Sequence, residues 1–382
     1  MTPQQPGKLL ILSVSAGNGH VRAAQALAAT AQLHWPGWQC VHIDAMAHVA
    51  AGFRKVYTDW YIKLVNRAPD VWSYLHGKAD ATPHSAASQR LRRGIERLSA
   101  RDLLRQIARE RPDAIVCTHF LPAELLARER QRARLAASLW LQVTDYDLHN
   151  MWIVPGLAGY FAANEEVAFR MRARGLPAAR IHVTGIPVMP AFDVATAERE
   201  AAVRSLGLDT ARGVVLMVSG GAGVGDLPSM ARRVLALPGQ DFQLVAVAGR
   251  NAEAHAQLQA LAAQHAGRLL PIGFTTEMDR LMTASDLVVT KPGGLTISEC
   301  MALGRPMLLT SPIPGQEEHN AIHLLEEGAA WLTDDAIGLD YKIARLMADT
   351  PRLRAMAERS RALGKPGAAR AVLTQVIEGA GR

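Results

Sequence analysis

His20 closes the turn Gly17-Asn-Gly19-His20, and it is the side chain best placed to move a proton. An imidazole at the start of a helix sits at the positive end of the backbone dipole, which disfavours the imidazolium and keeps the ring neutral. A neutral ring facing a ligand is a general base; a ring packed into a turn is only structural. Gly293-Gly294 follows an apolar run and opens the segment Leu295-Thr296-Ile-Ser-Glu299. Backbone without Cβ at a helix N-terminus is suited to an anion. Glu299 then falls where a carboxylate can accept from a ribose diol, or where it simply favours the first turns of the helix. Gly220-Gly221-Ala-Gly223 is a further glycine turn of the same kind. Gln316-Glu317-Glu318 lies in a polar stretch read as an irregular loop, where amide and carboxylates can line the edge of a sugar; the alternative is an exposed helix start. Asp145-Tyr-Asp147 has the spacing that can hold a divalent cation, but no further carboxylates cluster with it, so Asp145 is read as a polar site residue and no metal is expected.

Strands alternating with helices must position these groups. The strand readings are Leu9–Ser15, Ala114–Thr118, Leu139–Thr144, Ile181–Thr184, Val214–Val218, Leu244–Ala248, Leu287–Thr290 and, as the last, Met307–Leu309, with a helix over Val21–Leu33. Strand, glycine turn and helix begin twice, once in each half. The expectation is an α/β chain of two Rossmann-like domains facing each other across a cleft, 1–190 and 191–382, with the last helix able to pack back on the first domain. The first turn is not a full dinucleotide fingerprint, and Asp44 is the only candidate for an acid ending a second strand. A dehydrogenase is therefore a minor alternative.

The 382 residues are 49% apolar and 20% charged, which excludes a disordered chain and suits two domains. No apolar run reaches the roughly 18–20 residues needed to span a bilayer, and the first residues lack a signal-peptide layout. The three cysteines are far apart, so a reduced, cytoplasmic setting is expected. Charge divides unevenly: residues 1–190 hold 23 Lys and Arg against 14 Asp and Glu, whereas 191–382 hold 19 against 21. The basic half contains an arginine series with Arg93, Arg97, Arg101 and Arg105 at helical spacing, and an upstream stretch mixing Trp60 and Trp72 with Lys and Arg. Aromatic and basic residues together suit an anionic membrane surface; a solvated helix face explains them as well. No nucleic-acid recognition module accompanies the patch.

Several blocks resemble one family. Ser15-Ala-Gly-Asn-Gly-His20, Val143-Thr-Asp145 with His149 and Trp152, Val183-Thr-Gly-Ile-Pro187, and Gly273-Phe274 through Lys291-Pro-Gly-Gly-Leu-Thr-Ile-Ser-Glu299 to Pro314-Gly-Gln-Glu-Glu318 and Asn320 are similar to the monogalactosyldiacylglycerol synthase and processive diacylglycerol glucosyltransferase family. These are GT-B glycosyltransferases of family 28, related to the lipid I N-acetylglucosaminyltransferase. The resemblance runs from about residue 8 to 330, and the first motif departs from the family's Gly-Gly-Gly-His. It implies a UDP-sugar donor on the C-terminal half: uracil against Ile272, Gly273 and Phe274, diphosphate on Gly293, Gly294 and Thr296, ribose on Glu299, sugar on Gln316, Glu317 and Glu318, with Gly220 and Gly221 close by. It implies a lipid acceptor on the N-terminal half, with Gly17, Gly19 and His149 around it and His20 and Asp145 at the catalytic centre. Transfer would invert the anomeric carbon, without a metal or cofactor, on a chain held peripherally at the inner membrane face. The alternatives are a lipid I-type transferase, a UDP-sugar 2-epimerase, or a relative that binds UDP-sugar without catalysis.

Overall fold

The computed structural model describes residues 7–15, 17–48, 101–193, 198–218, 226–239, 241–313 and 315–380. The chain divides into two compact units, one of residues 1–190 with 313–316 and 367–382, the other of 191–312 with 317–366.

The first unit carries a parallel sheet of β1 (Lys8–Ser13), β2 (Gln39–Asp44), β3 (Ala114–Cys117), β4 (Ser138–Gln142), β5 (Gly159–Ala162) and β6 (Ile181–Val183) in the order β2-β1-β3-β4-β5-β6. Leu9 to Leu12 and Ala114 to Cys117 are fully buried, as expected of strands covered on both faces. Register pairs Ser13 with Asp44 and Leu12 with Cys117, so β1, β2 and β3 end level with one another. The helix Ala368–Ala380 belongs to this unit: Val372, Leu373, Val376 and Ile377 join Leu9, Ile11, Leu27 and Trp140 in one core. Its Gly379 lies so close to Trp140 that a Cβ there would come within 2.6 Å of the indole.

The second unit repeats the plan. Strands β7 (Gly213–Val218), β8 (Phe242–Val247), β9 (Leu269–Ile272), β10 (Leu287–Thr290), β11 (Met307–Thr310) and β12 (Ala330–Thr333) form a parallel sheet in the order β12-β11-β10-β7-β8-β9. Its core is built from Val215, Met217, Leu244, Ala246, Val289 and Leu308 against helix residues such as Leu339, Ile343 and Leu346.

In each sheet the first strand of the unit has later strands on both sides, so the chain reverses its winding direction beside it. Ligands of open α/β sheets bind beyond the strand ends at such a reversal. In the first unit it lies between β1 and β3; in the second, between β7 and β10. The turn after β1 leads into the helix Asn18–His34, so that His20, read from sequence as closing a turn, lies within a helix, and the turn after β10 ends at Gly293, where the helix Gly294–Ala302 begins.

Four strands escape a reading of apolar runs: β2, β5, β9 and β12. β2, β9 and β12 are sheet edges with interrupted burial, and β5 begins with a glycine against which Trp140 packs. Met307–Thr310 is therefore not the last strand, since β12 pairs with it in parallel. The stretch read as an irregular loop also needs correction. Gln316–Glu326 is a helix, with Glu317 and Glu318 in its first turn, where carboxylates favour the exposed amides and the dipole.

Candidate active site

The first helix starts at Asn18, with Gly17 as its N-cap, so His20 is its third residue. His20 Nδ1 lies 3.0 Å from the Thr118 carbonyl oxygen and 2.8 Å from Thr144 Oγ1. A carbonyl can only accept, so in the neutral ring the proton sits on Nδ1 and the lone pair on Nε2. The Thr118 hydroxyl donates to the His20 carbonyl at 2.8 Å, and the Thr118 amide donates to Leu12 at 2.9 Å. One residue at the end of β3 thus fixes both the backbone and the ring of His20. Burial pushes the His20 pKa down to about 4, only partly opposed by the Thr118 hydrogen bond. The ring is neutral throughout the physiological range.

His119 stands beside it, ring centroids 4.6 Å apart and nearly perpendicular. Its Nδ1 accepts from the Leu121 amide at 3.1 Å and caps the helix Phe120–Gln131. Its neutral tautomer is therefore the opposite one, with the proton on Nε2, and its nitrogen lone pair is already in use. Burial, reinforced by the nearby His20 and His149, holds its pKa well below the usual histidine value. Of these two rings only His20 keeps a nitrogen lone pair uncommitted to the fold. Trp152, His149 and Phe120 extend the cluster: the buried Trp152 lies 6.2 Å from His20 and 5.6 Å from the buried His149, and Phe120 lies 4.1 Å from His119.

Asp145 is buried and immediately follows Thr144 at the end of the β4 segment. Asp147 is ion-paired with Arg170 at 3.5 Å. Asp44, at the end of β2, accepts from the Ser15 and Met46 amides at 3.1 and 3.0 Å, so its carboxylate braces the first turn. Gly17 and Gly19 differ from a glycine kept for folding reasons: a Cβ on either would meet nothing within 4 Å, and neither has a positive φ.

In the second unit the helix Gly294–Ala302 begins directly after the β10 turn, with Gly293 as N-cap. Gly294 and Glu299 are buried, and Thr296 is half-buried. The Asn320 amide donates to the Pro292 carbonyl at 3.0 Å, which ties the helix Gln316–Glu326 to this turn. That tie brings Glu317 alongside: a Cβ on Gly293 would lie 3.7 Å from its Oε1. Glu318 is exposed. At the end of β9, Ile272 and Gly273 are half-buried, and Phe274 is 63% exposed under the Arg250 guanidinium, 4.9 Å from the ring centre. Gly220, Gly221, Trp60, Trp72, Arg93 and Arg97, and the side chain of Gln316, lie outside the described residues. Arg101 is exposed on a helical segment, 101–110, whose Leu103 and Ile107 are buried.

Residues 20–188 match the family model for monogalactosyldiacylglycerol (MGDG) synthase, and residues 214–372 match the glycosyltransferase family 28 C-terminal domain. The chain belongs to this glycosyltransferase family. The processive diacylglycerol beta-glucosyltransferases of Bacillus cytotoxicus and Bacillus pumilus are 28% and 26% identical to this family member, over 97% of it and 93% and 94% of their own lengths. Among solved structures, Acinetobacter baumannii MurG superposes with a TM-score of 0.63 at 16% identity, over 97% of this chain and 99% of that one. The S. aureus MnaA–UDP co-structure gives 0.63 at 15% identity, over 97% and 96%. These likenesses are those of the GT-B fold, and with the two parallel six-stranded sheets they make the family member an α/β, GT-B chain.

Thr118, His119 and Arg250 are not singled out by motif reading, and Thr144 and Asn320 stand in the family blocks without a role assigned to them. Thr118 and Thr144 had one available signal, since each is the last residue of an apolar strand run. The tie from Asn320 to Pro292 had none, because the two are brought together by packing alone.

Proposed function

We propose that this chain transfers a hexose from a UDP-sugar to a hydroxyl of diacylglycerol or a related glycolipid, inverting the anomeric carbon, while attached peripherally to the cytoplasmic membrane face. The observation that carries the reading is the hydrogen bonding of His20: Nδ1–H is committed to Thr118, and Nε2 is left as the basic nitrogen. A base kept neutral by burial can take the proton of an alcohol as that oxygen attacks C1 of the sugar. The bond from C1 to the diphosphate oxygen breaks with its electron pair, and the negative charge develops on UDP. Oriented amides at the Gly293-Gly294 helix start would stabilise that charge without rearrangement. Glu299 would take the ribose, Ile272 to Phe274 the uracil, and Gln316, Glu317 and Glu318 the sugar hydroxyls. Gly17, Gly19 and His149 would line the acceptor, with Asp145 close to the base. The names of the Bacillus relatives support a diacylglycerol acceptor. The basic N-terminal half, Arg101 included, supports attachment to anionic lipid.

The test incubates purified chain with UDP-glucose, UDP-galactose or UDP-N-acetylglucosamine and diacylglycerol in vesicles with and without anionic lipid. Products are read by thin-layer chromatography, mass spectrometry and anomeric NMR. A β-glycolipid is expected, formed faster on anionic vesicles, and His20→Ala should lower the rate by roughly 10²–10⁴-fold while UDP-sugar binding persists. Full activity in His20→Ala overturns the assigned base. Transfer to lipid I instead, epimerisation of UDP-N-acetylglucosamine, or UDP-sugar binding without any product each overturns the assigned reaction.

A further inference from the structure

Thr144 Oγ1 lies 2.8 Å from His20 Nδ1, across 124 residues of sequence, and Thr144 is 5% exposed. The Thr118 carbonyl, 3.0 Å from the same nitrogen, requires that Nδ1 donate. Thr144 Oγ1 therefore also accepts, and Nδ1–H is shared between two neutral oxygens. The other groups around the ring are His119, perpendicular at 4.6 Å, and Trp152 at 6.2 Å, with Asp145 next in sequence to Thr144 and His149 beyond Trp152.

We infer that Thr144 is a positioning residue for the transfer reaction: its hydroxyl, acting with the Thr118 carbonyl, holds the His20 imidazole in the one tautomer and orientation that leave Nε2 as the base. The inference rests on the reading of His20 as that base. During transfer the acceptor O–H bond breaks and its proton joins Nε2; the oxygen's electron pair forms the bond to C1; and the C1–phosphate electron pair leaves with UDP. Nδ1–H stays in place throughout, and the imidazolium is stabilised by the two oxygens that already accept from it. Without Thr144 the ring keeps one acceptor and gains freedom to rotate and to exchange tautomers. A base that spends part of its time misdirected lowers turnover but leaves donor binding alone, since the donor groups other than Gln316 lie on the second unit and, among the described residues, none of them touches Thr144.

The experiment combines kinetics with long-range ¹H–¹⁵N NMR of the histidine rings in the full chain, with His20→Gln used to assign the His20 signals. In the unmodified protein His20 should show the Nδ1–H tautomer and His119 the Nε2–H tautomer. Thr144→Val should move the His20 ring nitrogens toward averaged shifts and lower kcat by about 10-fold, with KM for the UDP-sugar unchanged within twofold. Thr144→Ser, which restores the acceptor, should return kcat to within about threefold of the original. Thr144→Ala, smaller and free of any packing clash, should behave as Thr144→Val if the hydroxyl is what matters. A wild-type His20 in the Nε2–H tautomer overturns the inference, as does an unchanged kcat in both Thr144→Val and Thr144→Ala. Failure of the underlying reading looks different: His20→Ala would stay active while the tautomer assignment and its response to Thr144→Val still hold.

Discussion

Gly19→Ala separates the needs of the fold from the needs of a ligand. Gly19 is the second residue of the helix Asn18–His34, it has no positive φ, and a Cβ there meets nothing within 4 Å. Alanine is a better helix former than glycine by up to about 1 kcal/mol, and it narrows the unfolded ensemble, so the substitution should stabilise the protein by about 0.4–1 kcal/mol. For a unit of this size that corresponds to a rise in Tm of about 1–4 °C. Gly19 precedes His20 in the chain, and under the proposed function the acceptor alcohol has to reach His20, so a methyl added at Gly19 is expected to crowd it. A displacement of the reacting oxygen by about 1 Å lowers a rate by up to about 10²-fold, and at least 10-fold is expected here. Differential scanning calorimetry and initial-rate transfer assays on the same preparation give both numbers. A raised Tm with an unchanged rate would show that the acceptor does not approach this turn. A lowered Tm would show that the space is not open, and the argument from the missing Cβ would fail at its first step.

His20 and His119 are both held below the ordinary histidine value by burial, so the folded rings bind a proton less readily than the unfolded ones. The stability from His20 is complete above about pH 6.5 and is lost as the pH falls toward about 4, and that from His119 is lost in the same direction. Tm should be level from pH 8 to 7 and fall below 6.5, less steeply in His119→Asn, which keeps a capping acceptor but does not titrate; a flat profile down to pH 4.5 would contradict this. At Gly364 a Cβ would lie 2.3 Å from the Met301 carbonyl oxygen and 3.2 Å from Ala302 Cα, both backbone atoms. Gly364→Ala should therefore destabilise by about 2–3 kcal/mol in urea titration, and a change below about 0.5 kcal/mol would mean that the helix Thr350–Leu363, which Gly364 caps, parts easily from the helix Gly294–Ala302. Asp147 is already paired with Arg170, so transfer should survive EDTA; a loss restored by Mn²⁺ would assign the Asp145–Asp147 pair to a metal.

Much of this protein is determined by local sequence. Apolar runs buried on both faces, each followed by glycines and a helix, are enough to specify two parallel α/β units, because a strand covered on both sides carries no alternation and glycines permit the sharp turn into a helix. The glycine turns after β1 and β10 and the start of the helix at Gly294 are legible for the same reason. Edge strands such as β12 and the helix start at Gln316 are not, since short half-covered segments of mixed polarity take their conformation from their neighbours.

What only the tertiary structure decided is the chemical state of the histidines. Sequence places His20 near a helix start, but its proton is assigned by a carbonyl 98 residues away and a hydroxyl 124 residues away, and its neutrality by burial. His119, which the sequence does not single out, is distinguished from His20 only once its ring is seen capping a helix. The helix Ala368–Ala380, expected as able to return to the first unit, is held there by contacts the sequence does not specify, its fit to Trp140 and Leu27. Tautomer, burial and long-range packing are properties of a residue's surroundings, and those surroundings exist only once the chain has folded.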